Sequence, residues 1–367
     1  MIRSPKRLAL PGIAALALGL VLTGCGAGNE SGGSGSGSSD LSGTLQGSGS
    51  SAQEAAMDTW RSSFQGDNSD VTVNYDPAGS GAGVEKFNGG GTDFAGSDSA
   101  LSEEKGEIAG AKKRCGADAI EVPDYISPIA LVYNLDGVDD LQLSAKTAAN
   151  IFAGKITTWN DPAIKADNPD ADLPSTRIDP VHRSDESGTT QNFTDYLSKA
   201  SEGAWTSEPD KVWPIKSGEG ATGTSGVVAA VKNASGSIGY ADFSQAGDLS
   251  TAKIKVGDDY VEPSAEGAAK ALEASPLADG RPENDLAVEV DRTTTESGAY
   301  PLFLSSYLIA CPTYDDQAKA DLVKGFLGYI VSEEGQKAAA ENAGSAPLPS
   351  SLQEKAAAAI DTISAKG

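Results

Sequence analysis

Histidine occurs once in this chain, at His182, and cysteine three times, at Cys25, Cys115 and Cys311. One imidazole cannot supply a histidine metal cluster. Nor does it serve a serine nucleophile, since no Gly-x-Ser-x-Gly elbow lies on a strand-to-helix turn with an Asp and a His to follow. No two cysteines form a C-x-x-C pair, so the spacing of thiol redox and zinc motifs is missing too. Basic residues are scarce: 28 Lys and Arg face 52 Asp and Glu, a net charge of −24. Nucleic acid, whose recognition needs a basic face, is therefore excluded as a partner. The acidic pairs Glu103-Glu104, Asp139-Asp140, Asp258-Asp259 and Glu333-Glu334 lack metal-loop spacing and read as solvated surface. No cofactor or metal is implied, and no internal repeat is visible.

Long apolar runs are absent except near the start, where a basic segment, Met1 to Arg7, precedes the apolar stretch Leu8 to Leu22. Interrupted by Pro11, that stretch is short for a membrane span and suits a secretory leader. It ends at Leu22-Thr23-Gly24-Cys25, which resembles the bacterial lipoprotein cleavage box. That resemblance implies cleavage before Cys25 and lipid attachment there, with the protein held on the extracytoplasmic face of the cell membrane. Residues Gly26 to Asp40 hold six glycines and five serines, the composition of a flexible tether with a root-mean-square reach of about 20 Å. With Cys25 lipidated, Cys115 and Cys311 remain in an oxidising space and are expected to form a disulfide. Buried free thiols are the alternative, because spacing does not prove proximity.

About 325 residues follow the tether, more than one core comfortably serves, so two lobes are expected. Strands and helices alternate, indicating α/β architecture. Candidate strands are Leu41 to Gln46, Val71 to Tyr75, Ile129 to Asn134, Arg177 to Val181 and Ser237 to Ala241. Helical spacing joins Ala56, Trp60 and Phe64, then Leu322, Phe326 and Ile330 within Asp316 to Ser332, and predicts a terminal helix over Leu352 to Ile363. Trp159 and Tyr240 read as packing or loop-anchoring aromatics.

The most informative segment is His182-Arg183-Ser184-Asp185-Glu186-Ser187-Gly188-Thr189-Thr190. It joins one guanidinium to small hydroxyl donors that open a helix. Backbone N–H groups there point outward at the positive end of the helix dipole, where an oxyanion binds. Asp185 can hold the Arg183 fork in one orientation. An ordinary Ser/Thr cap beside a surface ion pair is the bland alternative. Two similar strand-to-helix turns argue against it: Gly47-Ser48-Gly49-Ser50-Ser51-Ala52 and Ala78-Gly79-Ser80-Gly81-Ala82-Gly83. Then Asp93-Phe94-Ala95-Gly96-Ser97-Asp98 delivers a carboxylate at the end of a short apolar strand; its alternative reading is a helix N-cap.

In this order the motifs resemble the extracytoplasmic phosphate-binding receptor of the phosphate-specific ABC importer. Ile151-Phe152-Ala153-Gly154-Lys155-Ile156-Thr157-Thr158-Trp159-Asn160-Asp161-Pro162 and Gly236-Ser237-Ile238-Gly239-Tyr240 extend the resemblance over nearly the whole chain after residue 40. It implies high-affinity binding of inorganic phosphate, not catalysis, and delivery to the permease and ATPase subunits of such an importer. The implied donors are Ser51, the Ala52 backbone, Ser80, Arg183, Ser187, Gly188 and Thr189, with Asp98 accepting from the ligand. The implied fold is an α/β, two-lobed periplasmic-binding-protein fold of type II. Crossings would fall near Pro123 to Ala130 and Tyr300 to Ile309, with lobe I at 41–126 plus 305–367 and lobe II at 127–304. Phosphate keeps a proton at neutral pH and sulfate does not. An acceptor at Asp98 would therefore favour phosphate, and a site built for a ligand hydroxyl rejects its analogue by about 10⁴ to 10⁵. Ala52 and Glu186 depart from the family pattern, the latter placing a second carboxylate beside the anion. Another tetrahedral oxyanion, or a secreted phosphate-ester hydrolase, are the competing functions.

Overall fold

Alternation of short apolar strands with amphipathic helices sets the layout of the computed structural model, which describes residues 41–367. The expected leader, Cys25 and tether lie outside the described residues. Among the described residues no helix is long and apolar enough to cross a membrane.

The main sheet contains strands β1 (Gly43–Gly49), β2 (Val71–Asp76), β3 (Phe94–Ser97), β4 (Ile120–Asn134), β5 (Asp179–Arg183), β6 (Glu219–Ala221), β7 (Ser237–Asp242), β8 (Ser250–Val256) and β9 (Phe303–Ala310). Its hydrogen-bonded path runs β2-β1-β3-β9-β4-β7-β5-β6, with β8 beside β4 off that path. β1 is parallel to β2 and β3, whereas β9 runs antiparallel to β3 and β4. Helices α1 (Glu54–Asp67), α2 (Ser80–Asn88), α3 (Glu107–Cys115), α4 (Gly188–Ala200), α5 (Gly223–Asn233) and α6 (Gln317–Val331) pack around it.

β4 joins two halves. Over 120–128 it pairs with β9, and over 129–134 with β7. Both of its prolines fall where pairing changes. Pro128 ends the β9 ladder; Pro123 borders a β-bulge that leaves Asp124 as the extra residue, between Tyr125 opposite Ser306 and Pro123 opposite Tyr307. Proline lacks the N–H that a central ladder requires, and bulges and ladder ends tolerate it. The expected strand Ile129 to Asn134 is thus the second half of a longer one. The segments expected as crossings, Pro123 to Ala130 and Tyr300 to Ile309, fall largely within β4 and β9.

Three boundaries differ from expectation. β1 continues through Gly47, Ser48 and Gly49, because those glycines serve close packing. A Cβ on Gly47 would meet the Phe94 ring at 2.3 Å, and one on Gly49 the Gly96 carbonyl oxygen at 1.9 Å. β5 begins two residues later than Arg177, since its ladder to β7 starts at Asp179 opposite Ser237. The terminal helix runs Ser350–Asp361, with Ile363 beyond it and buried.

The predicted helical stripes form the core. Ala56, Trp60 and Phe64 are buried on α1, as are Leu322, Phe326 and Ile330 on α6. Trp60 meets Tyr125 of β4 edge-on at 6.4 Å and donates its Nε1 proton to the Gly335 carbonyl. Cys115, ending α3, is disulfide-bonded to Cys311, just past β9, with Cα atoms 5.1 Å apart. The four acidic pairs are exposed.

Candidate functional site

The predicted binding residues converge where β1, β2, β3 and β5 deliver their following turns. Ser51, Ala52, Ser80, Asp98, Arg183, Ser187 and Thr189 are each exposed by no more than 4 %, and Gly188 is buried as well.

Asp98 sits at the centre. Its carboxylate accepts from the Thr189 hydroxyl at 2.9 Å and from the Ser306 hydroxyl at 2.9 Å. Its backbone N–H donates to Ser80 Oγ at 3.1 Å. The N-cap alternative does not arise, because the next helix, α3, starts at Glu107 behind Gly106. Gly188 opens α4 directly against this group: a Cβ there would meet Asp98 Cβ and Ser80 Oγ, both at 2.8 Å. Ser187 caps α4 by accepting the Thr190 N–H, and its own N–H goes to the Lys211 carbonyl at 2.9 Å. The amides of Gly188 and Thr189 are the first-turn donors that an α-helix leaves without an intrahelical acceptor. α2 starts at Ser80, so two helix N-termini bring their positive dipole ends to the same place.

Arg183 ends β5, buried, and is gripped by Asp185. Nε donates to Oδ1 at 2.7 Å, and Nη2 pairs with Oδ2. Burial works to raise the Asp185 pKa, but the Arg183 hydrogen bond and charge, with the Gly223 N–H, outweigh it and hold the carboxyl below its ordinary value. A fork fixed on one side presents its remaining N–H groups in one direction. Beneath it the Tyr240 hydroxyl accepts the Arg183 N–H at 3.1 Å and lies 2.7 Å from Thr190 Oγ1. Burial pushes that phenol up to about 12. Tyr240 also stacks on Phe193 at 4.4 Å, so it both packs and braces the arginine. Trp159 takes the anchoring role read from sequence, donating to the Gly236 carbonyl at 3.0 Å. His182 stacks on Trp213 at 5.0 Å.

The first loop closes the ring. Ser51 Oγ accepts the Thr224 N–H at 3.1 Å, and the Ser51 and Ala52 carbonyls accept from Gln245 Nε2 at 2.7 and 3.1 Å. The Ala52 N–H donates to Ser50 Oγ at 3.0 Å, so a ligand has to compete with that serine for it. Glu186 is exposed; its backbone carbonyl accepts the Gly81 N–H, and its carboxylate lies against the first turn of α2, where a Cβ on Gly81 would meet Oε2 at 2.5 Å.

Sequence reasoning missed Thr224, Gly223, Gln245, Asn192 and Ser306. Thr222-Gly223-Thr224-Ser225-Gly226 repeats the strand-to-helix signature and could have been found: the Gly223 N–H donates to Asp185 Oδ1 at 3.1 Å. Asn192 donates to the Asp98 carbonyl at 2.5 Å and to the Gly188 carbonyl at 3.0 Å. Ser306 lies inside a fully buried strand with no polar pattern to mark it.

One further carboxyl borders the site. Asp124, at the bulge, is 1 % exposed, and neither carboxyl oxygen has a hydrogen-bond partner among the described residues. Burial first, then the nearby Asp98 charge, pushes its pKa well above the carboxylate range. Among the described residues no group of three or more His, Cys, Asp or Glu is placed to hold a metal. The arrangement can therefore grip a small oxyanion carrying at least one proton: hydroxyl, amide and guanidinium donors surround it, and one carboxylate accepts.

Comparison with known proteins follows the same line. The family model for a PBP superfamily domain matches residues 34–334. A Mycobacterium leprae protein named phosphate-binding protein PstS 3 is 40% identical over 367 residues, covering 96% of this chain and 97% of that protein. Phosphate-binding protein PstS of Xylella fastidiosa is 31% identical, covering 93% of this chain and 94% of its own length. Among solved structures, the high-affinity periplasmic phosphate-binding protein PfluDING, bound with phosphate, gives a TM-score of 0.71 at 22% identity, covering 86% of this chain and 93% of that one. A phosphate-binding protein from Stenotrophomonas maltophilia gives 0.68 at 20%, covering 86% and 94%. These two structures speak for the fold, a mixed α/β periplasmic-binding architecture with its sheet in two halves. The chain belongs to the PBP superfamily and, within it, to the family of phosphate-binding proteins called PstS.

Proposed function

We propose that this protein is a receptor, not an enzyme, that binds inorganic phosphate outside the cytoplasmic membrane and hands it to the permease and ATPase subunits of an ABC importer. The observation that carries this reading is Asp98, an acceptor set among Ser80, Thr189, the α2 and α4 N-termini and Arg183 fixed by Asp185. The relatives' names support the ligand. Ser51, the Ala52 amide, Ser80, Arg183, Ser187, Gly188 and Thr189 donate to phosphate in this reading, and Asp98 accepts a hydrogen bond from its hydroxyl. Each charge-assisted hydrogen bond contributes roughly 1.5–3 kcal/mol, so a few exceed the roughly 8 kcal/mol of micromolar binding. They must also work against a net charge of −24, which opposes long-range attraction of an anion. Lobe I (41–126 plus 305–367) carries Ser51, Ser80 and Asp98, lobe II (127–304) carries Arg183 to Thr189, and phosphate bridges them. Lipid on Cys25 and the Gly/Ser tether keep the receptor beside the importer on the extracytoplasmic face.

Calorimetric titration of the purified protein, stripped of ligand, tests the reading. Micromolar or tighter phosphate binding without a sulfate response is expected. Sulfate binding would replace phosphate by a general oxyanion receptor, and silence toward both would end the proposal. Hydrolysis of a chromogenic phosphate ester, with or without added divalent metal, would overturn the assignment as a non-enzyme.

A further inference from the structure

The site residues are exposed by only a few per cent, so an anion can neither enter nor leave unless the two halves separate. A contact that spans them and is coupled to the ligand loops would therefore govern release. Lys211 makes such a contact. It is 2 % exposed, and its ammonium donates to Glu107 Oε1 at 2.6 Å. Glu107 begins α3, and its other oxygen accepts the Ser102 N–H at 2.8 Å, on the segment that leads directly out of Asp98. On the opposite half, the Lys211 carbonyl accepts the N–H of Ser187, the cap of α4. The pair thus links the Asp98 loop to the α4 loop. A second pair beside it, Lys105 with Asp210 at 2.6 Å, is about 40 % exposed on each side.

We propose that Lys211 and Glu107 form a charge clasp that registers the closed cleft and sets the residence time of phosphate. This inference rests on the phosphate-receptor reading above. With the halves apart, both ions are hydrated; on closure they lose water together and compensate each other. Removing one partner leaves a bare charge to be buried on closure, which is strongly unfavourable, whereas removing both charges leaves no ion to strip of water. Lys211 and Glu107 are positioning residues, acting through the loops they hold. The exposed Lys105–Asp210 pair, screened by water, contributes little.

Phosphate affinity and dissociation rate are measured for wild type, Glu107→Gln, Lys211→Met, the double variant and Asp210→Asn, together with the melting temperature of each unliganded protein. Glu107→Gln is expected to weaken binding by about tenfold or more, mainly through faster release. The double variant should recover most of that loss, Asp210→Asn should stay within about twofold, and unliganded melting should hold steady. Unchanged release in Glu107→Gln, or an equal loss of unliganded stability with affinity retained, would overturn the clasp. If wild type ignores phosphate, the receptor reading fails. The clasp, which acts on the closed, phosphate-bound cleft, then falls with it.

Discussion

The Thr189 hydroxyl donates to the Asp98 carboxylate over 2.9 Å, joining positions 91 residues apart. Thr189 lies in the first turn of α4 and Asp98 directly follows β3, so this bond ties the two turns together, and in the phosphate-receptor reading it closes the cleft over the anion. Each carboxylate oxygen accepts one protein hydroxyl, from Thr189 or Ser306, and keeps a lone pair for the ligand's proton. Replacing Asp98 with Asn retains the shape but adds donors where an acceptor is needed. Most of a phosphate-over-sulfate preference on the order of 10⁴ should vanish, read as the ratio of the two dissociation constants. An unchanged ratio would remove Asp98 as the filter.

Asp185 is expected to matter through Arg183. Asp185→Asn keeps the volume yet frees one side of the guanidinium and weakens the acceptor for the Gly223 N–H. Phosphate affinity should fall by about ten- to a hundredfold, the equivalent of one charge-assisted hydrogen bond. The Asp185 pKa is depressed in the folded protein, so its contribution to stability is full above the unfolded carboxylate pKa and fades as pH falls through the folded value. A comparison of wild type and variant melting between neutral pH and strongly acid buffer should show the gap closing only in acid.

The sequence made this site legible because three of its four loops carry the same signature, small polar residues between a strand and an amphipathic helix. Physical chemistry ties that signature to unpaired N–H groups. Asp98 was legible as a carboxylate at a strand end, but its alternative as a cap could be set aside only once α3 was seen to begin at Glu107. Ser306 and Asn192 were not legible. Each reaches Asp98 from another part of the chain, and neither Phe303–Ala310 nor Gly188–Ala200 has a local pattern that separates a ligand-side polar residue from an ordinary buried one. The span of β4 was half legible, since its prolines argue against a central strand until the bulge and the change of partner strand are known.

The disulfide predicts a separation of stability from binding. Ala310 pairs with Phe94 at the start of β3, whereas Tyr307 pairs with Ser97 at its end, so the bond at Cys311 anchors the end of β3 remote from Asp98. Cys115→Ser with Cys311→Ser should cost about 2–5 kcal/mol of unfolding free energy in denaturant titrations. Phosphate affinity should stay within about twofold, well under the tenfold step that 1.4 kcal/mol represents. A large loss of affinity in a folded double variant would show that the bond positions the Asp98 loop.

Asp242 should make the unliganded protein less stable as pH rises toward neutrality. It ends β7, fully buried, accepting the Tyr125 hydroxyl at 3.0 Å and the Ser244 N–H at 3.0 Å, while Oδ2 has no partner among the described residues. Burial raises its pKa to about 7, against the opposing pull of hydrogen bonds from the Ser244 hydroxyl first, then from Tyr125 and the Ser244 N–H. The folded state therefore holds a proton that the unfolded chain releases near pH 4, about the ordinary Asp value. Between those two values the native state binds more protons, so stability declines with rising pH and levels off above the folded pKa. Asp242→Asn cannot ionise. Its stability relative to wild type should rise by on the order of a few kcal/mol from pH 4 to pH 8, after any constant offset from the changed hydrogen bonds. Denaturant midpoints for both proteins at several pH values measure that difference directly. A wild type and variant that run parallel across the range would mean Asp242 is already ionised in the fold and that Tyr125 and Ser244 suffice to hold its charge.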